Sequence, residues 1–384
     1  MATSDRTSLS PAGASVLFAL PALGAGGSER VVTSIANHWA AAGRSVGVVT
    51  FEAEAEEPYY PLTDGVSLTR LGAPAIPKPK WRALLQTWRR IGALRGRFAD
   101  PRPDVVISFL TKMNVMSVFA AGPLGVPVIV SERNNPKLQQ FDPLWRRARA
   151  AAFPKAAAFV TMTDEAAAFY PANQRPNTAI IPNPVSLPPG WTNKRRGGAL
   201  AAVGRLDRQK SFDLLIGAFA RVAEAAPDWR LVIWGEGEER ERLEALRDEV
   251  GLAGRVELPG VTPRPGGWIE TADAFILSSD YEGWPNALAE AMAAGLPIVS
   301  TDCEFGTTSL IDHERTGLLT PVGDVDAMAD ALKRFLGDAD LRRRLAANAA
   351  EEAKQYTVEA IAAKWDAVIA GALARGAPRR WTLG

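Results

Sequence analysis

The sequence has few of the residues on which several classes of catalytic and binding site depend. It contains one cysteine, Cys303, so no disulfide can form within the chain and a reducing compartment is expected. It contains two histidines, His38 and His313, which excludes a multi-histidine metal site and argues against a Ser-His-Asp hydrolase. No apolar run reaches the roughly 18 residues that a membrane-spanning helix needs. The formal net charge is +1, so the composition gives no indication of nucleic-acid binding.

What the chain does contain is the composition and periodicity of a two-domain α/β protein. Its 384 residues are 47% hydrophobic and 23% charged, which is typical of a globular protein. Strand-like apolar runs alternate with helical patterns in both halves, at 15–20, 46–51, 104–109, 127–131, 157–162 and 178–182, and then at 199–205, 230–234, 255–258, 273–278, 296–300 and 317–320. This alternation predicts parallel sheets joined by right-handed crossovers.

The break between the two halves lies at 183–198, where proline, glycine and charged residues are concentrated. Two domains facing each other would leave a cleft, with a ligand at the strand ends of one or both. The predicted organisation is a first domain at 1–183, a linker at 184–198, a second domain at 199–356, and a last amphipathic helix within 357–384 that packs back on the first domain.

The beginning of the chain has two features of its own. Residues 1–13 are polar and are expected to form an extension. The apolar segment that starts at Ala14 has features of a signal peptide. Pro21 ends that segment and a helix start follows at Ser28, which favours a buried first strand instead.

The most informative segment is 279–295, which reads Ser-Asp-Tyr-Glu-Gly-Trp-Pro-Asn-Ala-Leu-Ala-Glu-Ala-Met-Ala-Ala-Gly. Pro285 suits the first turn of a helix, and Gly295 suits its end because glycine can adopt a positive φ. Glu282 is therefore expected in the loop before the helix, and Glu290 about one turn inside it. The loop follows a strand, and open α/β sheets bind ligands at the carboxyl ends of their strands.

The backbone at the start of this helix is suited to an anion. The N–H groups of Gly283, Asn286 and Ala287 would be left unpaired at a positive helix end, where a diphosphate could bind. The alternative is that the two glutamates only offset the helix dipole.

A second strand-to-helix loop, at 203–211, reads Val-Gly-Arg-Leu-Asp-Arg-Gln-Lys-Ser. Arg205 offers a bidentate fork to phosphate oxygens, and Lys210 adds a point charge. This pair matches the two negative charges of a diphosphate. Taken by itself, the loop would equally fit two solvated surface cations.

A third loop, at 24–30, reads Gly-Ala-Gly-Gly-Ser-Glu-Arg and follows the first strand. Gly26 and Gly27 would let the backbone approach a phosphate or sugar closely, with a helix N-terminus behind them. The dinucleotide pattern G-x-G-x-x-G fails because Glu29 occupies its last position, although Glu52 could still mimic a ribose-binding acid. The alternative is a simple tight turn.

Residues 77–98 hold seven basic residues and no acidic one. Their apolar side chains fall on one helical stripe, while Arg89 and Arg90 lie largely off it. A cationic amphipathic helix with tryptophans can lie on an anionic membrane surface. The alternative is a surface helix that packs its stripe on the sheet. A second basic cluster, Arg133, Lys137, Arg146, Arg147 and Arg149, favours an anionic or lipid-bound partner.

Together these motifs resemble the retaining glycosyltransferases of family 4, which have the two-domain GT-B fold. The resemblance covers nearly the whole chain and is most specific in the second half. It rests on Gly204-Arg-Leu206 with Lys210, on Glu282-Gly-Trp-Pro-Asn286 with Glu290-Ala-Met-Ala-Ala-Gly295, and on Leu296-Pro-Ile-Val-Ser-Thr-Asp302. In the first half, Ile107-Ser-Phe-Leu-Thr111 and Val128-Ile-Val-Ser-Glu-Arg-Asn134 look like the subgroup that extends polyprenyl-diphosphate-linked glycans.

The resemblance implies a role for each motif. The first domain would bind the acceptor and the second the nucleotide-sugar. Arg205 and Lys210 would bind the donor diphosphate and stabilise the leaving group, Glu290 would accept hydrogen bonds from the ribose, and Glu282 would lie near the transferred sugar. Donor binding would further involve Gly26, Gly27, Gly260, Val261, Gly283, Asn286 and Ala287, and acceptor binding would involve Glu132, Arg133, Arg89 and Arg90.

The sequence departs from the family pattern in two places. Many members have a histidine near the donor sugar after the strand at 127–131, where this chain has Ser131-Glu132-Arg133, so Glu132 is expected to substitute for it. The family often has an acid three residues after Phe305-Gly306, where this chain has Ser309. Both places border the sugar, so the identity of the donor sugar stays open.

The expectation is thus a retaining, metal-independent GT-B enzyme with two Rossmann-like doubly wound domains and no cofactor. Its donor would be UDP-linked, and its acceptor a lipid-linked or polysaccharide glycan at the cytoplasmic membrane face, with no nucleic acid involved. No Asp-x-Asp lies in a plausible metal loop, since Asp324-Val-Asp326 looks like a helix cap. Two alternatives remain: a UDP-sugar epimerase on the same fold, and a non-catalytic nucleotide-sugar or glycan-binding subunit.

Overall fold

The computed structural model describes residues 13–24, 26–53, 56–72, 80–139, 141–188, 190–192, 194 and 197–375. Residues 1–12 of the predicted extension, the start of the basic segment at 77–79 and parts of the predicted linker lie outside these residues. The chain forms two compact units, one ending at Pro184 and resuming at Val358, the other being Val185–Thr357.

The first unit is built on a seven-stranded sheet with the order β3-β2-β1-β4-β5-β6-β7. All of its strand pairs are parallel. The strands are β1 Val16–Ala19, β2 Val46–Thr50, β3 Val66–Arg70, β4 Val105–Phe109, β5 Val128–Ser131, β6 Ala158–Thr161 and β7 Ala179–Ile180. The helices that follow them are α1 Gly27–Ala41, α2 Lys80–Ala99, α3 Thr111–Ala121, α4 Pro143–Ala152 and α5 Asp164–Ala168.

Helices cover both faces of this sheet because its strands alternate their side chains between two cores. Val16 and Phe18 of β1 point into a core shared with α1. Leu17 and Ala19 of the same strand point into a second core shared with α2 and α3. A strand buried on both faces reads as a continuous apolar run, so the prediction of a buried first strand is confirmed.

The second unit holds a six-stranded parallel sheet with the order β10-β9-β8-β11-β12-β13. Its strands are β8 Ala199–Val203, β9 Arg230–Trp234, β10 Val256–Gly260, β11 Ala274–Leu277, β12 Ile298–Thr301 and β13 Leu318–Thr320. Its helices are α6 Phe212–Val222, α7 Arg240–Glu249, α8 Asn286–Ala293, α9 Val325–Gly337 and α10 Ala339–Ala353. The predicted α/β class with two Rossmann-like parallel sheets is confirmed.

The last helix, α11 Val358–Ala374, belongs to the first unit although it follows the second in the chain. Its Trp365 is fully buried, with its ring 5.9 Å from that of Phe109 at the end of β4. Within the described residues, every helix is too short or too polar to serve as a membrane span.

All twelve strands predicted from the sequence are present. The structure contains one more, β3, which the sequence analysis did not predict. Val66 is buried at the edge of the first sheet while Ser67 is exposed and the next three residues are partly exposed. The alternation of Val66 and Leu68 with Ser67 and Thr69 carried the signal of a half-exposed edge strand. Two apolar residues are too few to stand out from the polar segment around them.

Candidate active site

The strand order of the second unit determines where a ligand can approach its sheet. The chain runs from β8 outward to β10 and then returns to β11 on the other side of β8. The connections after β8 and β11 therefore leave in opposite directions, and a crevice forms at this switch point of open α/β sheets. The loops at the crevice are 204–211 and 278–285, which are the two motifs that the sequence indicated.

Besides the contact of Lys210 with Glu282, four hydrogen bonds fasten these two loops to each other. Three of them involve a backbone group, and the fourth joins two side chains. They run from Ser278 Oγ to Lys210 O (2.7 Å), from Gln209 Nε2 to Tyr281 O (2.9 Å), from Asp280 N to Gln209 O (2.9 Å) and from Ser211 Oγ to Asp280 Oδ1 (2.6 Å). The loops therefore form one surface, and a shift in either would disturb the other.

The centre of this surface is an ion pair between Lys210 and Glu282. Lys210 Nζ lies 2.5 Å from Glu282 Oε1, and the exposed fractions of the two side chains are 18% and 8%. Ser279 Oγ donates a second hydrogen bond to the same carboxylate oxygen over 2.8 Å. A charge-assisted pair with this little solvent around it is held firmly in place.

The local backbone makes room for the lysine. A Cβ on Gly204 would lie 2.8 Å from Lys210 Cε, so any side chain there would displace the lysine. Ser211 has a φ of 46°, in the left-handed region that disfavours residues with a Cβ. Strain of this kind, about 1–2 kcal/mol, is often found at functional sites, and here the Ser211 hydroxyl bond to Asp280 offsets it.

Arg205 differs from Lys210 in being open to solvent. Its side chain is 77% exposed, and its Nη1 lies 3.6 Å from Asp207 Oδ2. An exposed pair at this distance contributes little to stability. The guanidinium can therefore turn toward a ligand at small cost, as its predicted role requires.

The helix α8 begins where expected, within one residue. Pro285 lies immediately before its first residue, Asn286, and Gly295 closes it with a φ of 63°. Among the described residues, no side chain caps its start. Gly306 packs against the same turn, because a Cβ there would lie 2.8 Å from Pro285 Cδ and 3.2 Å from Glu282 Cβ.

The first N–H groups of α8 follow directly after the loop that carries Glu282. Leu288 N and Ala289 N already bond to the carbonyl of Pro285. Leu288 is the first residue of the helix whose N–H group bonds to this carbonyl, and Asn286 and Ala287 come before it. They and Gly283 remain the predicted anion contacts.

Glu290 lies one turn into α8 and is 4% exposed. Its Oε2 accepts a hydrogen bond from Trp268 Nε1 over 3.2 Å. Trp268 is itself buried, with its ring 5.2 Å from that of Phe275 on β11. Sequence reasoning missed this tryptophan, because it lies in a turn 22 residues before Glu290 and belongs to no motif.

Gly260 and Val261 lie at the carboxyl end of β10, two strands away from β8. Gly260 has a φ of 89°, and its carbonyl accepts a hydrogen bond from Gly235 N over 2.9 Å. Val261 is 62% exposed. The exposed side chain of Val261, next to the positive φ of Gly260, is compatible with the predicted contact to the base of the nucleotide.

In the first unit, Gly26 caps α1 and Gly27 begins it. A Cβ on Gly26 would lie 2.2 Å from Glu29 Oε2, so the Glu29 carboxylate folds back over the start of its own helix. Burial raises the pKa of Glu29, and the charge of Glu52 raises it further. Glu52 accepts a hydrogen bond from Leu23 N over 2.8 Å and so holds the preceding loop.

Glu132 lies in the interior of the first unit, with 1% of its surface exposed. Its Oε2 accepts from Thr111 Oγ1 at 2.6 Å and from Tyr170 Oη at 3.2 Å, and its Oε1 accepts from Asn114 Nδ2 at 2.7 Å. Burial raises the pKa of this carboxyl, although the three hydrogen bonds oppose the shift. The carboxylate thus joins β5 to α3 and to the end of α5.

Arg133 is also buried, on the other side of the same loop. Its Nη1 donates to Ile181 O over 2.7 Å, and its guanidinium lies over the rings of both Phe109 and Trp365, 5.3 and 5.4 Å from their centroids. Burial lowers the pKa of Arg133 to about 9. The cation–π contacts with these two rings offset part of this desolvation.

Helix α2 divides into two halves. In the second half, Ile91, Leu94 and Phe98 are buried against the sheet. In the first half, Leu84, Leu85 and Trp88 are 46, 52 and 63% exposed. Arg89 is exposed, whereas Arg90 lies 4.7 Å from the ring centroid of Phe51, and burial lowers its pKa. The side chains of Trp81 and Arg82 lie outside the described part.

Two predictions about metal binding can be compared with the structure. Asp324 caps α9 by accepting from Ala327 N over 2.9 Å, which confirms its interpretation as a helix cap. Within the described ranges, no group of three or more histidine, cysteine, aspartate or glutamate side chains is placed to hold a metal ion.

Comparison with known families agrees with this geometry. Residues 193–352 match the model of the glycosyl transferases group 1, and residues 26–186 match that of a glycosyl transferase 4-like domain. An alpha-D-kanosaminyltransferase of Streptomyces kanamyceticus is 30% identical, with 62% of this chain aligned to 68% of that protein. The chain belongs to the group 1 glycosyltransferases. The resemblance to family 4 drawn from the motifs is confirmed.

Two further relatives match almost the whole chain. An exopolysaccharide phosphotransferase of Streptomyces coelicolor is 29% identical over 92% of this chain, which spans only 40% of that longer protein. A Campylobacter jejuni N-acetylgalactosaminyltransferase, named for an undecaprenol-diphosphate-linked substrate, is 25% identical over 92% of this chain and 98% of its own length.

Solved structures of glycosyltransferases share the fold of this chain. Sucrose-phosphate synthase of Thermosynechococcus elongatus has a TM-score of 0.73 and 21% identity, covering 92% of this chain and 97% of its own. HepE of Anabaena in complex with UDP has a TM-score of 0.72 and 17% identity, covering 91 and 98%. The GT-B fold class predicted from the motifs is therefore confirmed.

Proposed function

We propose that this chain is a retaining glycosyltransferase that moves a hexose or N-acetylhexosamine from a UDP-sugar to a lipid-linked or polysaccharide acceptor in cell-envelope glycan biosynthesis. The observation that carries the proposal is the ion pair of Lys210 with Glu282 at the switch point. The exposed Arg205 belongs to the same loop as Lys210, and the start of α8 follows shortly after Glu282. This arrangement gathers positive groups for a diphosphate beside a carboxylate for a sugar.

The chemistry requires charge stabilisation at the leaving group. The bond from the anomeric carbon to the diphosphate breaks with its electron pair going to UDP, and an acceptor hydroxyl forms the new bond and releases its proton. Arg205, Lys210 and the N–H groups of α8 would stabilise the charge that the diphosphate gains. Lys210 is already held in place by Glu282 before the reaction, which makes such stabilisation effective, and Arg205 would turn toward the diphosphate when it binds. An ammonium has three N–H donors, so Lys210 can bond Glu282 and a phosphate oxygen together.

The other donor contacts follow from position. Glu290 would accept from the ribose hydroxyls, Gly260 and Val261 would face the base, and Gly26 and Gly27 keep their predicted role as donor contacts. The proposal includes no metal ion or other cofactor, since the two cations and the helix N–H groups match the diphosphate charge. The choice of UDP as the nucleotide is supported by HepE, which has been solved with UDP and with UDP-glucose.

The acceptor part of the proposal rests on relatives and on α2. Two Campylobacter jejuni relatives are named for diphospho-undecaprenol-linked substrates. The exposed Leu84, Leu85 and Trp88 beside Arg89 suit peripheral contact with the cytoplasmic face of an anionic membrane. Flotation with anionic vesicles tests this contact: Arg89→Glu should reduce the bound fraction severalfold, and an unchanged fraction would refute it.

The donor is tested by thermal unfolding with UDP, GDP, ADP and NAD, each in large excess. A ligand at about 100 times its Kd adds roughly 2.7 kcal/mol, which raises Tm by several degrees. We expect a shift with UDP alone, lost in the Arg205→Ala/Lys210→Ala double variant relative to its own baseline. A shift with GDP or ADP instead would replace the donor, and a shift with NAD alone would overturn the proposal.

Retention is tested on the product. UDP-sugars are screened against lipid-linked acceptors, and the anomeric configuration of the new bond is read by NMR. An inverted product would refute retention, and conversion of a UDP-sugar to its epimer without acceptor would refute transfer.

A further inference from the structure

Helices α2, α3 and α4 of the first unit surround an apolar groove of about 530 Å³. It is lined by Leu84, Trp88 and Ile91 of α2, by Met116 and Phe119 of α3, and by Trp145 of α4. A volume between about 300 and 1,000 Å³ with mostly apolar walls is typical of a small-molecule site. We call this site the α2–α4 groove.

The rim of the groove is exposed, and its floor is not. Trp88 on α2 and Leu144 on α4 are 63 and 58% exposed, whereas Ile91 and Met116 below them are 6 and 4% exposed. Exposed apolar side chains that converge on a concave surface indicate an interaction site. The recessed floor requires a partner narrow enough to enter between the helices.

The charge around the groove indicates what one end of that partner carries. Some basic side chains of these helices point elsewhere: Arg90 lies over the ring of Phe51, and Arg149 over that of Tyr170. Lys112 lies over the ring of Trp145, 5.5 Å from its centroid, and Arg146 and Arg147 follow that tryptophan on the exposed side of α4. One acid, Asp142, is among the residues that line the groove, and its carboxylate caps α4 by accepting from Trp145 N over 3.1 Å.

We propose that the α2–α4 groove binds the first isoprene units of a polyprenyl chain whose diphosphate lies against Lys112, Arg146 and Arg147. The inference rests on the proposed lipid-linked acceptor and names the subsite that would hold its lipid. A second copy of this chain would bring the same positive face to the groove and be repelled. A flat bilayer surface would cover the rim without filling the floor.

The test uses the full chain and two soluble probes, farnesyl diphosphate and isopentenyl diphosphate, with binding followed by calorimetry. We expect farnesyl diphosphate to bind at least tenfold more tightly, because the two share a headgroup and differ in chain length. Ala148→Phe, which fills the groove, should weaken farnesyl diphosphate binding at least tenfold. The matched control is Ala150→Phe on the exposed side of the same helix, which should bind as wild type does.

A second pair of variants covers the case in which Ala148→Phe fails to fold. Leu144→Ser should weaken binding severalfold, while Leu138→Ser, also exposed but outside the groove, should not. Equal affinity for the two probes, or unchanged binding in both groove variants, would overturn the inference. So would vesicle binding without farnesyl diphosphate binding, or a dimer that Leu144→Ser dissociates.

The UDP shift in melting temperature is measured on the same samples. If the wild type responds to UDP but does not bind farnesyl diphosphate, only the inference about the groove is refuted. If it binds farnesyl diphosphate but no nucleotide, only the proposal about the donor is refuted.

Discussion

Lys210 and Glu282 are 72 residues apart in the chain, and their charged atoms lie 2.5 Å apart in the structure. The same oxygen of the Glu282 carboxylate also accepts a hydrogen bond from the Ser279 hydroxyl over 2.8 Å. One residue assigned to the diphosphate and one assigned to the sugar are thus already in contact before any donor binds. A substitution of Lys210 or of Glu282 should therefore affect its partner as well, and the effects on donor binding, turnover and stability can be measured separately.

Replacing Glu282 with glutamine should separate catalysis from donor binding. Glu282→Gln keeps the shape of the side chain and removes its charge, so Lys210 becomes more available to a phosphate. We expect turnover to fall about 100-fold or more, as when one preorganised electrostatic group is lost. The Kd for UDP, measured by calorimetry, should stay the same or decrease.

The control for that experiment is Glu224→Gln, which changes an exposed carboxylate of the same unit. It should leave both turnover and UDP affinity unchanged. Full activity in Glu282→Gln would remove this residue from the transfer step.

Removing the lysine should destabilise the second unit. Lys210→Ala leaves the Glu282 carboxylate, which is 8% exposed, without its cation. Breaking a buried pair in this way costs about 3 kcal/mol, or roughly 6–12 °C in Tm for a unit of this size. Differential scanning calorimetry of the ligand-free protein measures the loss.

The double variant Lys210→Ala/Glu282→Gln should recover much of that stability, because no charge is then left unpaired. If the double variant is no more stable than Lys210→Ala, the ion pair is not the cause of the loss. Arg205→Ala should leave Tm unchanged, since its side chain is 77% exposed.

Trp268 should act as a positioning residue for ribose recognition. Trp268→Phe keeps the ring beside Phe275 and removes the N–H that donates to Glu290 Oε2. We expect UDP affinity to fall about tenfold, equivalent to 1.4 kcal/mol. The preference for UDP over 2′,3′-dideoxy-UDP should shrink by the same factor, which a merely structural effect would not produce.

Trp229→Phe, at the amino end of β9, provides a matched control. This variant should bind UDP and 2′,3′-dideoxy-UDP with the affinities of the wild type. An unaltered preference for UDP in Trp268→Phe would show that the indole does not orient Glu290.

The buried Glu132 should make stability depend on pH. Burial raises its pKa in the folded state above the usual 4.5, so between 4.5 and the raised pKa the folded chain binds more protons than the unfolded chain. Stability from this group is therefore present in acid and is lost as pH rises through that window. Urea unfolding from pH 4.5 upward should show a negative slope in wild type that Glu132→Gln lacks.

Other titrating groups contribute to both proteins, so the decisive quantity is the difference between their unfolding free energies. That difference should favour the glutamine variant increasingly as pH rises and then level off. Glu165→Gln, on the surface of the neighbouring α5, should give a difference that does not change in this way.

The sheets and the two site loops of the second unit could be predicted because their signals are local. A buried parallel strand is a continuous apolar run, and every such run in the sequence became a strand. Gly295 closes a helix with a positive φ for a reason that lies in the residue itself. Placing both loops at the carboxyl ends of strands needed only the alternation of strand and helix.

What could not be predicted depends on contacts between distant segments. Glu132 and Arg133 are predicted acceptor contacts, but the burial of Arg133 depends on Ile181 and Trp365, which lie far along the chain. The hydrogen bond from Trp268 to Glu290 joins a turn and a helix that share no periodicity. The contact of Lys210 with Glu282 follows from β8 and β11 being neighbours, a property of strand order.

The bonds that fasten loop 204–211 to loop 278–285 also limit how this surface can vary. Only one of the four, from Asp280 N to Gln209 O, joins two backbone groups, and the other three each need the side chain of Ser278, Gln209 or Ser211. Replacing one of these side chains removes one bond and leaves the others in place. Inserting or deleting a single residue would instead shift every bond at once and separate the cation from its carboxylate. The length of both loops is therefore a property that this site must preserve, together with the side chains that pair across it.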